Sequence, residues 1–299
     1  MRILSAHKKP ISCLAFSPDG SQLAEAAHGG KVRVWDLASG EVVRSFDESN
    51  GLFPNQVKVA FADERLLAVA NDRASVVGND AETRERLPGK SSSFHALQVS
   101  PDGSQLISSG DEFQRWDLKT RELLTGQQLL PVGEAGMHTY PATAFGRNGT
   151  RLAVCRKEWK DRGNESKLFV VDLASEAVET NLSWFGHEAK RLSFHPSRPL
   201  LAGTCGPVLR VWNLETNAEV AALSVGKLHF LAAAFSPCGR HLVAVSKDKT
   251  ARFWDAVTFA EAKTFDWEIG KLLDLAFAPD GSMAAVAGDA GKIVLFDVD

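Results

Sequence analysis

The sequence predicts an all-β protein built from seven copies of a four-stranded unit. Two features carry the prediction. A segment ending in Trp-Asp keeps returning, and inside each copy short apolar–polar runs alternate between turn residues. Clear copies are "LAFSPDGSQLAEAAHGGKVRVWD" (14–36) and the segments 97–117, 192–213, 233–255 and 275–297; weaker ones are 59–78 and 143–172. Anchored on Trp35, Val77, Trp116, Val171, Trp212, Trp254 and Phe296, the steps are 42, 39, 55, 41, 42 and 42 residues. Such a period marks a repeat architecture, in which each unit buries its apolar face only against its neighbours.

Each element of the unit has a physical reason. "AFSPDGSQLA" reads as strand, turn, strand, because Pro presets φ and Gly tolerates positive φ. "KVRVWD" alternates as a third strand and "EVVRSF" as a fourth. The approximate unit boundaries are 7–47, 48–90, 91–128, 129–182, 183–224, 225–266 and 267–299, in one domain over 1–299.

The pairs Trp35-Asp36, Trp116-Asp117 and Trp254-Asp255, the variant Trp212-Asn213, and the Ser-Pro-Asp-Gly turns at 17–20 and 100–103 extend this reading. On these residues nearly the whole chain resembles the WD-repeat β-propeller family. The resemblance implies a seven-bladed β-propeller of four-stranded antiparallel sheets around a central channel. It also implies that the N-terminal strand 1–5, "MRILS", completes the last blade, whose copy shows only three strands before "KIVLFDVD" ends. That pairing would remove an exposed sheet edge.

In this family a Trp, an Asp in the preceding turn, a strand hydroxyl and a His form a buried hydrogen-bonded set. Here the set survives in pieces. Asp248 sits six residues before Trp254 but has no matching His, while His7 and His187 belong to copies carrying Gly29 and Gly206 at the Asp position. Trp35, Asp36, Trp116, Asp117, Trp212, Asp248, Trp254 and Asp255 are therefore read as structural repeat residues, with apolar packing carrying more of the stability.

A formal charge of −3 disfavours nucleic acid and anionic membrane as partners. No run of eighteen apolar residues predicts a membrane span, and the N-terminus lacks the apolar core of a signal peptide. Cys13, Cys155, Cys205 and Cys238 form no CxxC pair, so a disulfide framework or zinc site is not expected and a reducing cytoplasm is the simplest location. GxSxG, HExxH, EF-hand and phosphate-loop patterns are absent. No enzyme activity, cofactor or metal is expected. The alternatives are a lactonase-like propeller hydrolase using the channel mouth, where His95, His138 and His229 would enter the ring, or a structural subunit of a larger assembly.

Departures from a repeat point to use, because insertions map to loops. The fourth copy carries about seven extra residues within "RKEWKDRGNESK" (156–167), and a long connection, "LLPVGEAGMHTYP" (129–141), leads into it. Both should lie on one face, presenting Met137, His138, Tyr140, Lys157, Trp159, Lys160 and Arg162. Aromatics beside Lys and Arg are the residue types favoured at protein interfaces. The opposing reading is that Trp159 folds back over its own loop. Phe53, Trp184, Phe185, Phe230 and Trp267 fall near blade crossings, where packing accounts for them. The expected function is a non-catalytic scaffold, monomeric on its own, that binds a protein or peptide on the loop face around the fourth blade.

Overall fold

The computed structural model describes residues 1–5, 7–48, 57–71, 73–78, 82–89, 93–124, 138–160 and 163–298, without the side chains of 138, 160, 163, 164 and 183–185. Seven antiparallel sheets of four strands form the blades, with no helix among the described residues. Blade 1 comprises Ile11–Phe16, Gln22–Ala27, Lys31–Asp36 and Val42–Asp47, side by side in chain order. The first strands of blades 2 to 6 are Lys58–Phe61, Phe94–Val99, His138–Phe145, Leu192–Phe194 and Phe230–Phe235. Blade 7 takes Leu272–Phe277, Met283–Gly288 and Lys292–Asp297 from the end of the chain and Arg2–Ser5 from its start. Arg2 pairs with Leu295 and Ser5 with Lys292, so the expected closure is present. The Arg2 guanidinium also donates to the Leu37 and Ser39 carbonyls of blade 1, at 3.0 and 3.2 Å.

One cross-strand row repeats in every blade. Phe16–Leu23–Trp35 in blade 1 is matched by Phe61–Leu67–Val77 and Val99–Leu106–Trp116 in blades 2 and 3. Phe145–Leu152–Val171, Phe194–Leu201–Trp212, Phe235–Leu242–Trp254 and Phe277–Ala284–Phe296 complete the series. Val77, Val171 and Phe296 thus stand where other blades carry Trp. Each of these seven residues packs against the preceding blade, and among the described residues an apolar cluster fills every blade junction. The second strands carry Ala24, Ala26, Ala68, Ala70, Ala285 and Ala287, all fully buried or nearly so. Blades diverge away from the axis, so small residues fit near the channel and Trp fits one strand further out. Fixing the Trp row excludes water from each junction and supplies much of the apolar burial.

The Asp of each Trp-Asp pair is a turn cap. Asp36 accepts from the Ser39 amide at 2.7 Å, Asp117 from Thr120 at 2.7 Å and Asp255 from Thr258 at 2.7 Å. The Ser-Pro-Asp-Gly turns close in the same way. Asp19 accepts from the Ser17 hydroxyl at 2.6 Å, and Asp102 from Ser100 at 2.5 Å. Turn glycines here abut the turn of the blade before: a Cβ on Gly281 of the related Ala-Pro-Asp-Gly turn, whose φ is +77°, would lie 3.2 Å from Pro237. These turns form a closely packed ring around one end of the channel.

The insertion of blade 4 is a hairpin, not a loop. Arg151–Lys160 and Gly163–Asp172 each run ten residues and stay paired as far as Lys160 with Gly163. The expected loop 156–167 is therefore mostly strand, because its Lys and Glu residues alternate and pair across the ladder instead of dispersing into solvent.

Candidate site at the channel mouth

The first strands of all seven blades enclose a channel of about 580 Å³. At the end opposite the Ser-Pro-Asp-Gly ring it opens into a mouth of about 450 Å³, and Lys58, Lys190 and Arg191 line both. The blade 4 hairpin forms part of this mouth. Successive strand residues point to opposite faces, and Lys157 and Trp159 face the mouth. Lys157 Nζ lies 3.3 Å from Glu188 and 4.9 Å from the centroid of the Trp159 ring. Trp159 is 42% exposed. On the other face, Arg156 and Lys167 pair with buried Glu158 at 2.6 and 2.9 Å, and Arg156 covers the Phe169 ring at 4.8 Å. This network stiffens the hairpin that carries Trp159.

Inside the channel, Arg191 of blade 5 reaches Asp274 of blade 7 at 3.2 Å. The other Asp274 oxygen accepts from the Leu14 amide of blade 1 at 2.9 Å. Lys58 enters from blade 2; burial, with Arg191 adding, pushes its ammonium below the ordinary lysine range. Asp274 holds the Arg191 guanidinium above its usual range. His95 and His28 also line the mouth, and burial lowers the pKa of both.

The residues expected on this face divide. Lys157 and Trp159 reach the mouth, and Trp159 does not fold away from solvent. Tyr140 does not belong to an exposed aromatic surface: it is 5% exposed and packs at 6.0 Å from Phe113, within the cluster between blades 3 and 4. The reason is the register shift between Thr139 and Ala142, which turns Tyr140 toward blade 3 although Ala142 and Ala144 pack toward blade 5. Met137 and Arg162 lie outside the described residues, and His138 and Lys160 are described only as strand backbone. His229 does not join His95; its ring meets His187 edge-on at 4.9 Å. Among the described residues no group of three or more His, Cys, Asp or Glu side chains is placed to hold a metal ion. Phe230 and Trp267 pack between blades. Phe53 and the Trp184 and Phe185 side chains lie outside the description.

The eroded hydrogen-bonded set also resolves. Asp248 accepts from Thr250 Oγ1 and pairs with Arg252, each at 2.6 Å, and Trp254 is buried against blade 5. In blade 1 a residue missed in the sequence replaces the absent Asp. Glu25, fully buried on the second strand, lies 2.7 Å from His7 Nε2, and the Trp35 side chain acts on the same carboxylate. Burial raises the Glu25 pKa although His7 opposes it. Its signal was a Glu at an inward position of the apolar strand "QLAEAA". Lys58, Glu188, Lys190, Arg191 and Asp274 were missed as well.

A closed ring of seven four-stranded blades, with Trp-Asp ends on several of its third strands and a channel opening into a charged mouth, defines a β-propeller consistent with a divergent WD-repeat family. The family model described as "WD domain, G-beta repeat" matches residues 1–36 and 225–255. The B-type cell cycle switch protein ccs52A of Medicago truncatula is 25% identical over 272 residues, 88% of this chain and 54% of its own length. Cell division cycle 20.1, cofactor of APC complex, of Arabidopsis thaliana is 24% identical over 269 residues, 84% of this chain and 55% of its own. Nuclear distribution protein PAC1 of Coccidioides posadasii is 24% identical over 279 residues, 84% and 58% of the two chains. The chain thus spans about half the length of the curated relatives it matches.

Proposed function

We propose that this chain is a non-catalytic platform that binds a protein segment across the channel mouth, beside the blade 4 hairpin. The observation that carries it is the solvent-facing Trp159, held beside Lys157 and Glu188 on a braced hairpin at the rim of an open cavity. A large aromatic fixed in place loses little entropy on binding, and such residues dominate protein interfaces. The relatives support the class of function: one is named a cofactor of a complex. On this reading the chain is a monomer without its partner and takes no nucleic acid.

The test compares capture of partner proteins by the parent, by Trp159→Ala/Lys157→Ala, and by Arg147→Ala, an exposed change in the turn region of the same blade. A partner held by the parent and by Arg147→Ala but lost from the folded mouth variant is the expected result. Equal retention by all three contradicts the assignment of the face.

A further inference from the structure

We propose that the channel seats an anionic side chain (glutamate, aspartate or phosphoserine) of the bound protein segment, held between Lys58 and Arg191; this rests on the platform reading above. Lys58, Arg191 and Asp274 share one tier of the ring. Each lies three residues before the anchor of its first strand, Phe61, Phe194 and Phe277. Blades 1, 3, 4 and 6 carry Cys13, Ala96, Ala142 and Ala232 at that position, so the tier has room.

The carboxylate of this tier is already engaged. One Asp274 oxygen takes Arg191 and the other takes the Leu14 amide. Lys58 has no ion pair or hydrogen bond with any described residue, and its charge stands near that of Arg191. Two converging cations with one occupied carboxylate form an incomplete set that an incoming anion completes. Toward the mouth, Lys157 and Lys190 share Glu188 at 3.3 and 3.9 Å. From mouth to tier there are thus four cations (Lys58, Lys157, Lys190, Arg191) against two carboxylates (Glu188, Asp274), in a chain whose formal charge is −3. The positive field is local to the path a ligand would enter. Focusing inside a low-dielectric channel strengthens it. A charge-assisted contact to a buried lysine also favours its charged form, which burial alone opposes.

The test follows the lysine side-chain resonances of the full chain by NMR, with Lys58 assigned through Lys58→Met. The probes are inorganic phosphate and three short peptides differing at one central residue: phosphoserine, glutamate or glutamine. The expected result is a saturable shift of Lys58 with phosphate and with the two acidic peptides, and none with the glutamine peptide. Binding in Lys58→Met should weaken about tenfold or more. Acidic peptides that leave Lys58 unmoved, or bind Lys58→Met unchanged, overturn the anion seat. If such binding still depends on Trp159, the platform reading survives that failure. Phosphate binding through Lys58 with no peptide binding overturns the protein source of the anion. Lys58→Arg, which keeps the charge, should restore most of the binding; a folded Lys58→Arg as weak as Lys58→Met contradicts the assigned role.

Discussion

The two ends of the channel are made from one repeat and differ in how their charges are satisfied. At the turn end, the turn aspartates Asp19 and Asp102 are answered within their own turns. Hydrogen bonds from Ser17 hold the Asp19 carboxyl below its ordinary range, and those from Ser100 do the same for Asp102. At the mouth, Lys58 makes no ion pair with a carboxylate among the described residues, and Trp159 keeps much of its surface in water. Where the repeat is regular, polar groups are closed locally and serve the fold. Where it departs, charge and apolar surface face a cavity. Proteins tolerate such unsatisfied groups chiefly where function requires them.

Breaking the ring itself should have the largest effect. Removing residues 1–5 strips the outer strand from blade 7 and takes Leu4 out of the cluster it shares with blade 1. A loss of about 4 kcal/mol or more in denaturant melts is expected; an unchanged midpoint would show that closure lies elsewhere. Trp116→Ala, which empties a side chain only 1% exposed, should cost about 3–5 kcal/mol. Trp159→Ala should stay within about 0.5 kcal/mol, as surface changes do. Similar losses from the two would erase the distinction between structural and functional tryptophans.

Lys58 sharpens the comparison through pH. Its folded pKa is lowered, so the unfolded chain holds the proton more readily, and stability rises as pH climbs from the lowered value to the ordinary lysine value. The groups acting on it are Cys13, Arg191 and Asp274, with His28 and His95 nearby. Lys58→Met should remove that alkaline rise and melt no lower than the parent at neutral pH. A destabilised Lys58→Met would make this lysine a structural residue. Asp102→Ala, which opens one turn, should cost about 1 kcal/mol in thermal melts, with mouth binding untouched. Weaker ligand binding by that variant would tie the two ends together.

Much of the ring was legible in the sequence because its signals repeat. Seven anchors in phase located the third strands, including Val77, Val171 and Phe296, where no Trp marks them. The site was legible only in part. Trp159 and Lys157 stood out as a departure, but the charged run around them hid a strand, since Arg156 and Glu158 are buried by pairing with each other. Tyr140 was misplaced because a register shift between Thr139 and Ala142 makes its direction unreadable by counting. Lys58, Arg191 and Asp274 become visible only when first strands are aligned on their anchors, for a charge in one short strand carries no message alone. Glu25 was hidden likewise, because its partner His7 comes from the segment that follows the closing strand.

The most direct test of the central claim is hydrogen exchange of the full chain with and without a captured partner. The account predicts slowed exchange at the blade 4 hairpin, 151–172, and at the first-strand starts around Lys58 and His95. Slowed exchange confined to the turns at 17–20, 100–103 and 278–281, with the mouth unchanged, would contradict it.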